Sequence, residues 1–147
     1  MKSRIILKRS FPEEYRILQT IPGINENCAA TVLAEIGPNV QAFKSDGHLA
    51  SWAGLCPGSY ESAGIKKSSH ITQGNRYLKH ALTMSGLIAA HSKDTTFSSL
   101  YYRISQRGSK MKAVIACAHK ILRITYKLLA THQSYQNEKV LEPRQQF

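Results

Sequence analysis

The feature that most constrains the fold is a helical repeat of apolar residues that returns along most of the chain. From Ser109 to about His132, the residues Met111, Val114, Ile115, Ala118, Leu122, Thr125 and Leu129 recur every three or four positions, which places them on one helix face as a core stripe. Lys112, Lys120, Arg123 and Lys127 fall around the rest of that circumference. The same spacing links Ala29, Val32, Leu33 and Ile36 within Asn25 to Ile36. It links Leu78, Ala81, Leu82, Ser85 and Ala89 between Gly74 and about His91. Phe97, Leu100, Tyr101 and Ile104 repeat it once more, with Thr95 or Thr96 as the cap and Gly108 as the stop. A short helical segment at Glu13 to Thr20, and one capped by Ser45 that carries Leu49, Trp52 and Ala53 and runs through Leu55, complete the set. The prediction is all-α: a compact helical bundle containing a helix-hairpin-helix-like motif and one Ser/Gly/Lys-rich loop.

A chain of 147 residues can bury one core but is short for two. No apolar run approaches the roughly 18 residues that span a bilayer, and the start, MKSRIILKRSF, lacks the apolar core of a signal peptide. We therefore expect a cytoplasmic protein without a membrane partner. Cys28, Cys56 and Cys117 form no C-x-x-C pair, and they read as reduced core residues rather than a disulfide framework or zinc site. No metal ligand set is expected in the chain. Lys and Arg number 20 against 9 Asp and Glu, a net charge of +11, so a polyanion is the natural partner and nucleic acid the commonest one.

Two stretches carry functional signals. The first is Ile21-Pro22-Gly23-Ile24 between two helices, the layout of a helix-hairpin-helix. A tight turn there exposes unpaired N–H groups at the next helix's N-terminus, which with the helix dipole hold a phosphate without reading a base. Gly23, Ile24 and Asn25 are the candidate phosphate-binding residues. Asn25 stands where such hairpins usually carry a second glycine; it tolerates a left-handed backbone but adds a side chain near the phosphate. A plain buried corner between two helices is the competing reading.

The second stretch runs from Tyr60 through Glu61, Ser62, Ala63, Gly64, Ile65, Lys66 and Lys67 to His70 and the run Gly74 to Lys79. A serine attacking a phosphodiester needs exposure, backbone freedom and cations for the charge on the phosphoryl oxygens. Gly64 supplies the freedom, and Lys66, Lys67 and Arg76 the charge. These residue types also fill ordinary surface loops, and the loop alone does not select one serine. No Walker phosphate loop is present.

Taken together, Leu18-Gln-Thr-Ile-Pro-Gly-Ile-Asn, Ala29-Ala-Thr-Val-Leu-Ala-Glu-Ile-Gly, Leu49-Ala-Ser-Trp-Ala-Gly-Leu-Cys-Pro-Gly, Ser62-Ala-Gly and Ile71-Thr-Gln-Gly-Asn-Arg-Tyr-Leu-Lys-His-Ala-Leu follow one order. That order resembles the C-terminal transposase domain of the IS-one-ten family of insertion-sequence transposases and pilin-gene invertases. Tyr101-Tyr-Arg-Ile and Ala118-His-Lys-Ile-Leu-Arg-Ile-Thr-Tyr resemble its closing helices. The resemblance implies a DNA recombinase working with a structured guide RNA, its partners being DNA, that RNA and further copies of the chain.

It also implies that Ser62, with Ser59 as the alternative, attacks a DNA phosphate to give a phosphoserine link and a free hydroxyl. Lys66, Lys67, Arg76 and Lys79 would bind the phosphate; His70 and His80 read as surface or packing histidines, and no general base is assigned. Mg2+ would belong to an acidic N-terminal domain that this chain lacks, so the chain alone is expected to be inactive. The division that follows is a leader at 1–12, ending a preceding segment, then the transposase C-terminal domain at 13–135. Within the latter lie the hairpin at about 14–36, the serine loop at 57–74 and closing helices at 75–132. A polar tail at 136–147 follows, with fraying expected after Gln133. Two further readings compete: a non-catalytic nucleic-acid-binding helix-hairpin-helix module, and an oligomerisation fragment of a transposase.

Overall fold

The computed structural model describes residues 2–55 and 73–136. Among them are seven α-helices, a single 3-10 turn and no strand. They are α1 (Lys2–Ser10), α2 (Pro12–Leu18), α3 (Glu26–Ile36), α4 (Asp46–Trp52), α5 (Gln73–Ala90), α6 (Thr95–Arg107) and α7 (Lys110–Thr131), with the 3-10 turn at Val40–Ala42. The all-α bundle expected from periodicity is the observed architecture.

Each helix begins and ends for a local reason. Asn25 caps α3 by accepting the Cys28 N–H at 2.9 Å, and α3 stops where Gly37 adopts φ +85° before Pro38. Ser45 caps α4 as expected, its hydroxyl accepting from His48 N at 3.1 Å. The cap of α6 is Asp94 rather than Thr95 or Thr96, for its carboxylate accepts the Thr96 N–H at 2.8 Å. A charged acceptor at the positive end of the helix outcompetes a hydroxyl one residue later. Ser109 caps α7, accepting from Lys112 N at 3.0 Å, and His132 ends that helix in a left-handed conformation at φ 55°.

The longest helix, α7, lies at the centre and touches α2, α4, α5 and α6. Phe97, Leu78, Leu82, Ile17, Leu18 and Leu49 are fully buried around it, as are its own Ile121 and Leu122. Its buried arc is wider than a single stripe, since Ala113, Cys117, Ile121 and Leu128 are buried beside Val114, Ala118, Leu122, Thr125 and Leu129. Neighbours on both flanks explain the width. Met111 departs from the expected stripe. It is 62% exposed, because it sits in the first turn, ahead of the helix's close contact with α5 at Val114 and Ala118.

The leader is helical over Lys2–Ser10, and Leu7 and Phe11 pack against the core beside α3. At the other end, the fraying expected after Gln133 does not hold for Tyr135. Its N–H donates to Thr20 Oγ1 at 2.9 Å, its hydroxyl donates to Asp94 Oδ2 at 2.8 Å, and its ring lies near that of Phe97. Cys28 and Cys117 are buried free thiols, as expected; Cys56 lies outside the described residues.

Candidate nucleic-acid interface

The hairpin between α2 and α3 is closed by Ile21, which is buried, and by a hydrogen bond from Ile24 N to Ile21 O at 3.1 Å. Gly23 there adopts φ +91°, a region that L side chains rarely occupy. Its α-carbon faces α5: a Cβ built on Gly23 would stand 2.3 Å from the Ser85 carbonyl oxygen and 3.2 Å from Ala89 Cβ. Ile24 is also buried, at 5% exposure. Of the three hairpin candidates Gly23 is half-buried and Ile24 buried, whereas Asn25 is exposed. Its backbone is extended rather than left-handed, with φ −97°, and its side-chain oxygen already occupies one of the N–H groups at the start of α3. Glu26 adds a carboxylate to that first turn. A plain packed corner therefore accounts for the glycine without any ligand.

The serine stretch is positioned by its anchors. Leu55, fully buried, donates its N–H to Ala50 O at 3.0 Å, and Gly54 turns the chain with φ +76°. On the far side Leu78 is fully buried in α5, which leaves Arg76, Tyr77, Lys79 and His80 on the exposed side. The two anchors meet: a Cβ on Gly54 would lie 3.7 Å from Lys79 Cδ, so the stem of Lys79 rests on the turn that leads into the serine stretch. Arg76 and Lys79 are thus fixed on the first turns of a rigid helix. Ser62, Ser59, Lys66, Lys67 and His70 lie outside the described residues.

The buried thiols offer no competing nucleophile. Burial raises the Cys28 thiol above its ordinary value, with the Ser85 hydroxyl, 2.9 Å away, acting in the opposite direction. Burial pushes Cys117 up to about 11. Both stay protonated near neutrality, and the thiolate is the reactive form.

Charge is divided unevenly. Glu13, Glu14, Glu26, Glu35 and Asp46 all lie in the first half, whereas from Gln73 to Gln136 the one carboxylate is Asp94, which is engaged by Thr96 N and Tyr135 Oη. Arg16 is paired with Glu13, and Arg123 with Asp46 at 3.0 Å. Arg103, Arg107, Lys110 and Lys112 are exposed on α6 and α7 without an ion-pair partner among the described residues. Sequence reasoning missed this cluster as a unit. The absence of any Asp or Glu between Thr95 and Asn137 is the signal that marks it.

The Transposase IS116/IS110/IS902 family model matches residues 15–103. The pilin gene-inverting proteins of Moraxella bovis and Moraxella lacunata are each 34% identical over 122 residues, covering 81% of this chain and 38% of their own length. The insertion element IS110 uncharacterized 43.6 kDa protein of Streptomyces coelicolor is 28% identical over 123 residues, covering 82% of this chain and 30% of its own. The chain thus spans well under half of the curated relatives it matches. No solved structure matches it significantly.

Proposed function

The chain belongs to the Transposase IS116/IS110/IS902 family, and on that premise we propose that it is the DNA-handling, serine-bearing domain of a transposase or recombinase. The observation that carries the proposal is the meeting of Gly54 and Lys79. It sets Lys79, with Arg76 on the same helix, at the described ends of the stretch that holds Ser62. Cations held there by a rigid scaffold stabilise the charge that grows on phosphoryl oxygens during attack.

In the proposed step Ser62 Oγ attacks phosphorus and loses its proton to solvent or to a base that we do not assign. The phosphorus–oxygen bond to the leaving strand breaks, and that strand departs with a free hydroxyl. The phosphoserine link keeps the energy of the broken bond, so a hydroxyl on another strand can reverse the step. Lys66 and Lys67 join Arg76 and Lys79 in holding the phosphate. The hairpin adds at most a weak grip at Asn25, since Gly23 and Ile24 are committed to packing.

Among the described residues no three His, Cys, Asp or Glu side chains come together as a metal site, and the Mg2+ that the resemblance implies is assigned to an acidic N-terminal domain rather than to these residues. No step here runs through a metal. A structured guide RNA enters the proposal through the resemblance alone. Self-association is supported by the exposed apolar residues Tyr77, Met84, Leu87 and Ile88 on α5, and light scattering that found only monomer would remove it. No helix of the described residues is long and apolar enough to cross a membrane.

The test is made in a full-length protein carrying this chain, offered labelled DNA from either side of its own gene. Ser62→Ala should abolish the covalent protein–DNA adduct on a denaturing gel while leaving DNA affinity within about twofold, because one neutral side chain adds little to a grip dominated by phosphate contacts. Loss of the adduct in Ser59→Ala alone would move the role to Ser59. An adduct that survives both substitutions overturns serine attack.

A further inference from the structure

We propose that the α6–α7 hairpin forms a second nucleic-acid surface that takes single-stranded DNA, with Tyr102 as a stacking platform between backbone-binding cations. This rests on the DNA-handling role proposed above but uses none of the residues of the serine stretch.

Three observations lead to it. First, Arg103 and Arg107 lie one turn apart on α6, and Lys110 and Lys112 open α7 two residues after α6 ends; all four are exposed. No carboxylate occurs between Thr95 and Asn137, so nothing in this segment offsets them. Second, the cations stand on a rigid frame. Phe97 is fully buried, Gly108 N donates to Ile104 O at 2.9 Å, Ser109 Oγ accepts from Lys112 N at 3.0 Å, and the Lys112 stem lies along Gly108. A phosphate backbone would meet charges already held in place, which lowers the ordering cost of binding.

Third, Tyr102 is 66% exposed on the same helix as Arg103 and Arg107, and its hydroxyl has no partner among the described residues. The chain's other tyrosines on this side are used internally. Tyr101 sets its ring 5.1 Å from that of His91, Tyr126 donates to Phe43 O at 3.1 Å, and Tyr135 donates to Asp94. A flat ring left open on a helix that also carries exposed cations suits an unpaired base, which stacks on the ring while neighbouring phosphates reach Arg and Lys. Bases in a duplex are already stacked on each other and cannot use it. A reaction that opens DNA strands supplies such a segment, which favours DNA over RNA.

The experiment is fluorescence anisotropy of the whole chain with a short labelled single strand, its duplex and the RNA of the same sequence, titrated over a range of salt. Changing Arg103, Arg107, Lys110 and Lys112 together to Gln should weaken single-strand binding at least about tenfold at low salt. It should also lower the slope of log affinity against log salt by about 3, at roughly 0.7 for each lost phosphate contact. Tyr102→Ala should weaken single-strand binding about fivefold or more, with slope and duplex affinity unchanged, and Tyr102→Phe should bind as the parent does. A fourfold-substituted protein that keeps its single-strand affinity and slope overturns the surface. A Tyr102→Ala effect that is absent, or equal on duplex, overturns the stacking assignment, and a preference for the RNA overturns the assignment to DNA. Absence of affinity in the unsubstituted chain for any of the three would instead defeat the DNA-handling role itself.

Discussion

A methyl group on Gly23 would have to displace the Ser85 carbonyl, 2.3 Å from where its carbon would stand, and would also hold the backbone at φ +91°. The backbone conformation costs roughly 1–2 kcal/mol for an L residue, and forcing a methyl into a packed site costs a further 1–3 kcal/mol or so. Gly23→Ala should therefore lower stability by about 3 kcal/mol, read as a shift in the denaturation midpoint; parent-like stability would show that the corner yields. The Pro22-Gly23 turn was legible because its signal is local. The inward direction of its glycine was not, since that depends on a helix reached only after the long stretch that follows α4. Asn25 shows the same limit. Its residue type fits both a left-handed bend and an N-cap, and the 2.9 Å bond to Cys28 N decides for the cap.

Helices were readable as elements because the period of 3.6 survives whatever they pack against. What could not be read was how closely they approach. Gly86 marks the tightest crossing: a Cβ there would lie 2.8 Å from both Ala118 N and Val114 O, so α5 and α7 meet backbone to backbone. In an exposed helix Gly→Ala gains up to about 1 kcal/mol of helix propensity. At this crossing overpacking, at about 1–3 kcal/mol, should win. Gly86→Ala is expected to destabilise the fold by about 1–2 kcal/mol in chemical denaturation, and a stabilised variant would contradict the crossing. The same reasoning applies to Met111, which shares the period of the α7 core face yet lies before the point where α5 covers it.

Across the molecule, α4 and α7 are joined by a polar cluster that makes stability depend on pH. Burial first, then the charges of Arg123 and Lys120, hold His119 below its ordinary 6.5, outweighing the pull of Asp46 in the other direction. The folded chain then binds fewer protons than the unfolded one, so the stability present above pH 6.5 declines as pH falls through that value toward the folded pKa. The hydrogen bond from Arg123 keeps the Asp46 carboxyl below its ordinary 3.8, and its small contribution is lost only in stronger acid. Melting temperature should fall between about pH 7 and about pH 5, and His119→Gln should flatten that fall. An unchanged slope in the variant would assign the dependence to other groups.

Net charge was legible from composition alone, but its division needed positions: six of the nine carboxylates precede α5, and between Gln73 and Asn137 only Asp94 occurs. The serine assignment rests on family likeness because Ser, Gly and Lys are common to surface loops, and residue type alone does not single out one hydroxyl.

The Tyr135 clasp bears on how this domain can be handled. By gripping Thr20 and Asp94 it draws the chain after α7 back over the α2 and α6 ends. A fluorescent label, purification tag or fused partner grafted directly onto Thr131 would remove that strap, whereas one attached beyond Gln136 leaves both of its bonds in place.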